Sequence, residues 1–273
     1  MNPVQAVVLG VVEGLTEFLP VSSTGHLTVT EQLLGLKVDD KAITAFTAVI
    51  QVGAILATFI YFRADIVRLV RGFVRGVVSA EGRADPDWRF AWCVIVGSIP
   101  IGILGLAFKS VIEGPLRSVA VVAVALIAWS AVMWYAERRP AQDRGESALT
   151  VRDGAVIGLV QCAALVPGVS RSGATISAGL LRGIDRVEAT RLSFFLAIPA
   201  LTAAGLLELG KSLGGGVGVG PTVIGTVIAF VVAYATIAWL LRFVAHHRIS
   251  LFIPYRVAAG VGILVLLATG VIS

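Results

Sequence analysis

The sequence predicts an all-α polytopic membrane protein: six transmembrane helices plus two re-entrant helical hairpins, arranged as an inverted-topology repeat. Three observations carry that prediction. The 273-residue chain is 57% hydrophobic and only 14% charged, with a mean hydropathy of +0.90, too little polar surface to cover even one soluble domain. Several apolar runs approach the length of about 20 residues that crosses a hydrocarbon core. Two more segments, about 4–36 and 153–182, are apolar but broken by proline, glycine and clustered polar residues.

The first broken segment contains Gly10 to His26, G-V-V-E-G-L-T-E-F-L-P-V-S-S-T-G-H. A helix over Val4–Leu19 sets Glu13 and Glu17 four apart on one face. Pro20 ends or bends that helix, Ser22-Ser23-Thr24-Gly25 supplies turn chemistry, and Leu27–Leu36 is too short to cross. The chain therefore enters and returns on one side, and the turn must be buried or line a cavity, where its backbone can be satisfied. A helix-turn-helix with solvated glutamates is the plain alternative, opposed by the cost of charge in an apolar chain.

Full spans follow at Ala42–Phe62, at Phe90–Phe108 with an interruption at Pro100 and Gly102, and at Ser118–Ala136. Between the first two, 63–89 is a charged connection read as partly an amphipathic interfacial helix. Asp153–Arg182 repeats the broken pattern, with P-G-V-S-R-S-G-A-T at Pro167 to Thr175. The remaining spans are Leu192–Gly210, Thr222–Leu241 and Leu251–Gly270, with a glycine-rich loop at Ser212–Pro221.

The net charge of +5 does not point to nucleic acid, because the basic residues lie in short loops. With 63–89 in the cytoplasm, fifteen Lys and Arg fall on that side and five on the other. Such a bias orients the chain with both termini and the first hairpin outside. Cys93 and Cys162 read as small buried residues with no disulfide. The N-terminus lacks a basic n-region, so it is expected to belong to the mature chain. His246 and His247 read as interfacial.

Sliding the chain by 148 residues aligns Gly10 with Gly158, Glu13 with Gln161, Ser22 with Ser170, Ser23 with Arg171 and Gly25 with Gly173. Three full spans separate the two broken segments, so the second enters from the opposite side and the tips meet near the midplane. The repeats are about 1–136 and 150–273 within a single membrane domain. This places Arg171 opposite Glu17, Ser23 and His26. A buried arginine needs an anion, which two carboxylates or a phosphate supply.

E-G-L-T-E-F-L-P-V-S-S-T-G-H (Glu13 to His26) and P-G-V-S-R-S-G-A-T (Pro167 to Thr175) resemble the two signature regions of the undecaprenyl pyrophosphate phosphatase, or bacitracin-resistance, family. The similarity extends through Phe46 to Ala57 and Glu188 to Ala200. Thr28 and Thr30 depart mildly from its usual aliphatic residues. The resemblance implies an integral hydrolase of the bacterial inner (plasma) membrane. Its reaction removes the terminal phosphate of a C55 polyprenyl diphosphate, recycling the carrier for cell-wall synthesis and conferring bacitracin resistance. It also implies a divalent cation and an active site opening to the external, periplasmic side. The expected partners are that lipid and the bilayer, with a homodimer left open.

These residue types suit phosphoryl transfer, which is catalysed mostly by positioning and charge neutralisation. Arg171 offers a bidentate fork for the phosphate, helped by Ser22, Ser170, Ser172 and Thr175 and by amides around Gly25 and Gly173. Glu13 and Glu17 are the expected ligands of Mg2+ or Ca2+. Ser23 is the preferred nucleophile, with His26 or Glu17 as base; a water positioned by either is the other candidate. A polyprenyl-phosphate flippase or anion transporter is the alternative reading, since inverted repeats with broken helices suit carriers too.

Overall fold

The computed structural model describes residues 1–37, 40–114, 116, 118–139, 142–212 and 217–272, and among them the chain is helical, with no strand. The first hairpin is α1 (Pro3–Thr16) and α2 (Ser23–Leu33). A capping box at Asn2 opens α1, and the Gln5 side-chain amide donates to the Leu34 carbonyl at 3.1 Å, joining the two ends of the hairpin. The second is α8 (Val151–Gln161), a short 3-10 turn, and α9 (Arg171–Leu181). Its base is closed by ions: Asp153 accepts from Arg144 at 2.7 Å and from Arg182 at 2.8 Å. Burial pushes the Asp153 carboxyl up, but hydrogen bonds from Arg144, Thr150 and Arg182 outweigh it and hold the group well below the usual carboxylate range.

Among the described residues, five helical segments are long and apolar enough to cross a membrane. They are α3 (Lys41–Tyr61), α5 (Pro86–Ala107), α7 (Val119–Glu137), α11 (Val219–His246) and Ile249–Ala268, which contains α12 (Ile253–Ala268). The span expected at Leu192–Gly210 lies on α10 (Arg186–Ser212), which is not one of those five. Among the described residues α4 (Arg63–Val78) and the short α6 (Lys109–Glu113) complete the α-helices. The glycine-rich loop expected at Ser212–Pro221 falls mostly on 213–216, outside the described residues.

The interruption expected in the second span is not seen, and α5 runs on through Pro100. Membrane helices tolerate an interior proline: its missing amide frees the Val96 carbonyl four residues back, and beside that position Gln161 donates to the Gly97 carbonyl at 3.4 Å.

Small residues bring the hairpins against the spans. A Cβ on Gly14 of α1 would sit 2.8 Å from the Ala229 carbonyl of α11, and one on Gly158 of α8 would sit 2.2 Å from the Gly97 carbonyl of α5. Spacings of four residues, Gly10 and Gly14 on α1 and Gly154 and Gly158 on α8, give the close backbone approach that packs helices where no hydrophobic force separates lipid from side chain. Thus α1 packs on α11, α8 on α5, α3 on α10 and α7 on α12.

Candidate active site

Both hairpins bend at strained serines. Pro20 has no amide hydrogen, and its ring crowds the carbonyl four residues back, so α1 stops at Thr16. The helix expected to Leu19 is therefore three residues shorter, and Glu17 stands on the turn. The turn expected over Ser22–Gly25 likewise moves back: Ser23, Thr24 and Gly25 form the first turn of α2. Ser22 and Ser170 are the non-glycine residues with positive φ among those described, at 75° and 76°. Such a conformation costs roughly 1–3 kcal/mol and persists where surroundings enforce it. Ser22 Oγ accepts from the Gly168 amide of the other tip at 3.1 Å, and Ser170 Oγ accepts from the Gly173 amide at 3.2 Å.

The two serines place Ser23 and Arg171 at the first positions of α2 and α9, facing the same carboxylate. Ser23 Oγ donates to Glu17 Oε2 at 2.5 Å, while Arg171 Nη2 donates to Glu17 Oε1 at 3.2 Å. Arg171 Nη1 is held by the Ser193 carbonyl of α10 at 3.0 Å, and Nε has no hydrogen-bond partner. One turn back, Glu13 is fully buried, and neither of its carboxylate oxygens is hydrogen-bonded among the described residues. A buried carboxylate in that condition is costly unless a cation or a proton joins it.

These groups close one end of a cavity of about 560 Å³. Glu13, Glu17, Ser22, Ser23, Ser170 and Arg171 line it there. Its walls come from the early turns of α3 (Thr44, Thr47, Gln51) and the late turns of α5 (Ile101, Leu106), with Lys109 and Ile112 beyond them. The cavity is thus polar at the hairpin tips, and its walls mix the hydroxyls and amide of α3 with the apolar side chains of α5.

The other expected site residues are engaged elsewhere. Ser172 Oγ donates to the Leu19 carbonyl at 2.9 Å, and Thr175 Oγ1 donates to Ser193 Oγ at 2.7 Å, holding the element that carries Arg171. Gly25 allows α2 to meet α7, since a Cβ there would lie 2.7 Å from Val122; a Cβ on Gly173 would press on Ser170 at 3.3 Å. His26 turns from Ser23: its Nδ1 lies 2.7 Å from the Ser22 carbonyl, a pure acceptor, so Nδ1 carries the hydrogen. Nε2 then accepts from the Tyr255 hydroxyl at 2.6 Å, with the two rings stacked at 5.5 Å.

Sequence reasoning missed the adjacent residue on α12. Arg256 is fully buried. It donates to the carbonyls of Pro20 (2.7 Å), Gly168 (3.1 Å) and Val169 (3.2 Å), and to Leu126 and Ser130 of α7. One guanidinium thereby ties both broken tips to two spans. A signal was available: of the 22 Lys and Arg, the loop count that sets orientation leaves out only Arg171 and Arg256.

For a divalent cation, the hard oxygen donors are Glu13 and Glu17. No group of three or more His, Cys, Asp or Glu converges among the described residues. Two carboxylates with the remaining positions left to phosphate oxygens and water is an ordinary pattern for Mg2+. The unpartnered oxygens of Glu13 fit that pattern.

The family model described as bacitracin resistance protein BacA matches residues 6–262. "Undecaprenyl-diphosphatase 3" of Frankia casuarinae is 59% identical over all of this chain and 99% of its own length. "Undecaprenyl-diphosphatase 1" of Streptomyces avermitilis is 56% identical, and "Undecaprenyl-diphosphatase" of Acidothermus cellulolyticus 55%, each over 100% of this chain and 99% of its own length.

Proposed function

This chain belongs to the bacitracin resistance protein family, and on that premise we propose how its buried site hydrolyses undecaprenyl diphosphate to undecaprenyl phosphate and inorganic phosphate. It is a multi-pass membrane enzyme, an undecaprenyl-diphosphatase like its relatives. The relatives' names support hydrolysis and lend nothing to the transport alternative.

The observation that carries the mechanism is the chain Ser23, Glu17, Arg171 at the closed end of the cavity. Arg171 orients the Glu17 carboxylate through Oε1, so Glu17 Oε2 is placed to take the Ser23 proton. Ser23 Oγ attacks the terminal phosphorus. The bond to the bridging oxygen breaks, and the lipid monophosphate leaves with that electron pair. Water then attacks the phosphoserine, inorganic phosphate departs, and the proton returns to Ser23. Arg171, with a partner-free Nε, neutralises the transferred phosphoryl oxygens. Glu13 and Glu17 would hold a divalent cation, whose chemistry is to neutralise diphosphate charge. His26, tied to Ser22 and Tyr255, positions the first turn of α2 and leaves Glu17 as the base.

The finer architecture is six spans, with α10 as the sixth, and two re-entrant hairpins in inverted repeats about 1–136 and 150–273. The pairing of α1 on α11 with α8 on α5, and the matched φ of Ser22 and Ser170, support that symmetry. The charge bias then puts the cavity mouth, at the early turns of α3 and the late turns of α5, on the external side of a bacterial plasma membrane.

The test is phosphate release from C55 diphosphate by purified protein, with a label on the terminal phosphate to trap a covalent intermediate. Wild type is expected to show a burst of labelled protein. Ser23→Ala is expected to lose both burst and turnover, and Glu17→Gln to slow attack by at least ~100-fold. Near-wild-type turnover in Ser23→Ala would exclude the covalent route and leave the water mechanism.

A further inference from the structure

Outside the site, α4 is built differently from every other helix. Three of its successive turns, at Arg68, Gly72 and Gly76, meet the first turn of α5, and the Phe73 ring reaches on to Trp92. Arg68 pairs with Asp87, a Cβ on Gly72 would lie 2.4 Å from Asp87, and one on Gly76 would lie 2.3 Å from Trp88. A helix that spends three turns on one turn of its neighbour crosses it at a steep angle. Since α5 spans the bilayer, α4 lies along the membrane surface, at the end of α5 where Phe73, Trp88 and Trp92 pack ring on ring. Such aromatic clusters sit at headgroup depth.

Its three faces have different chemistry. Leu69, Gly72 and Gly76 are buried against the protein. Val67, Val70, Val74, Val77 and Val78 are each about half exposed or more, at 47–76%, and share one side. Next to that row, Arg71 and Arg75 project one turn apart and are exposed. Arg71 has no ion pair among the described residues, and Arg75 has only a long contact of 3.8 Å with Asp85. The acid within the helix, Asp65, is turned away and occupied by Arg68 and Arg191. A valine row bordered by arginines, whose one ion contact among the described residues is the 3.8 Å approach of Asp85 to Arg75, is an in-plane amphipathic helix whose open charge is complementary to anionic headgroups.

We propose that α4 is a binding site for anionic glycerophospholipid: the valine row enters the acyl chains and Arg71 and Arg75 clamp one lipid phosphate. The site lies outside the cavity and does not depend on the hydrolytic mechanism. It gives the enzyme a bound acidic lipid at the end of α5 opposite the cavity mouth.

The experiment reconstitutes the full-length protein in nanodiscs and in mixed micelles. Retention of phosphatidylglycerol against phosphatidylcholine is measured by native mass spectrometry. Wild type is expected to retain the acidic lipid preferentially, and Arg71→Ala/Arg75→Ala to lose about 30-fold of that preference, from ~1 kcal/mol per basic residue near an anionic surface. Arg71→Lys/Arg75→Lys is expected to keep most of it, and both double variants to keep wild-type phosphate release, which shows that they are folded. Equal retention of the two lipids by wild type, or an unchanged preference in the alanine variant, overturns the proposal.

Discussion

Replacing Arg256 tests whether one buried guanidinium sets the register of the two hairpin tips. The carbonyls of Pro20, Gly168 and Val169 have no other hydrogen bond among the described residues, whereas Leu126 is also served by Ser130. Arg256→Met therefore orphans three carbonyls, at roughly 1–3 kcal/mol each. Against this, a lone buried cation no longer has to be desolvated, which returns several kcal/mol. The balance is a destabilisation on the order of 2–4 kcal/mol, concentrated at the tips where, in the proposed mechanism, Ser23 and Arg171 face one phosphate. A tip displaced by ~1 Å costs about 100-fold in rate. Arg256→Lys keeps the charge, but one ammonium cannot span carbonyls on both tips, so turnover is expected to fall by ~10-fold or more with KM nearly unchanged. The assay is initial-rate phosphate release from C55 diphosphate in detergent, beside thermal unfolding followed by tryptophan fluorescence. A folded Arg256→Lys or Arg256→Met protein with wild-type turnover refutes the argument.

Three further outcomes follow from the same geometry. Tyr255→Phe removes the hydroxyl on His26 Nε2 but leaves Glu17 beside Ser23; turnover should drop less than ~10-fold, and a loss matching Glu17→Gln would return His26 to the role of base. Gly158→Val places a side chain where even a Cβ lies 2.2 Å from the Gly97 carbonyl; α8 and α5 must separate, and unfolding in detergent should show a loss of at least ~1–3 kcal/mol. Asp153 is held below the usual carboxylate range, so its stabilising contribution is full above the ordinary pKa of ~3.9 and is lost as pH falls from there through the lower folded value. Asp153→Asn should be less stable at neutral pH and show a flatter stability profile through that acid window.

The helices were legible because their causes are local. Apolar runs of membrane length, Pro20 and Pro167, and loops rich in arginine are written in the chain, and they announced both the spans and the two broken segments. The second-span break was misread at Pro100, because a proline removes one helical hydrogen bond without having to end an apolar helix held by its neighbours. The ends of the first turn were off by three residues for a related reason: proline acts on the carbonyl four residues back, so the helix stopped at Thr16 and moved Ser23 into the next helix.

The sequence by itself determined the inventory: a membrane chain, two polar hairpins, and Glu13, Glu17, Ser23 and Arg171 as groups too costly to bury without purpose. Only the tertiary structure decided how they pair. Glu17 is 154 positions from Arg171 and 6 from Ser23, yet one oxygen of its carboxylate meets each, while His26 is claimed by Tyr255, 229 positions away. Hydrophobic pattern and charge bias act along the chain and can be read there. A hydrogen bond between side chains of different helices depends on the last ångström of packing, which Arg256 and the helix-facing glycines set only once the helices have come together.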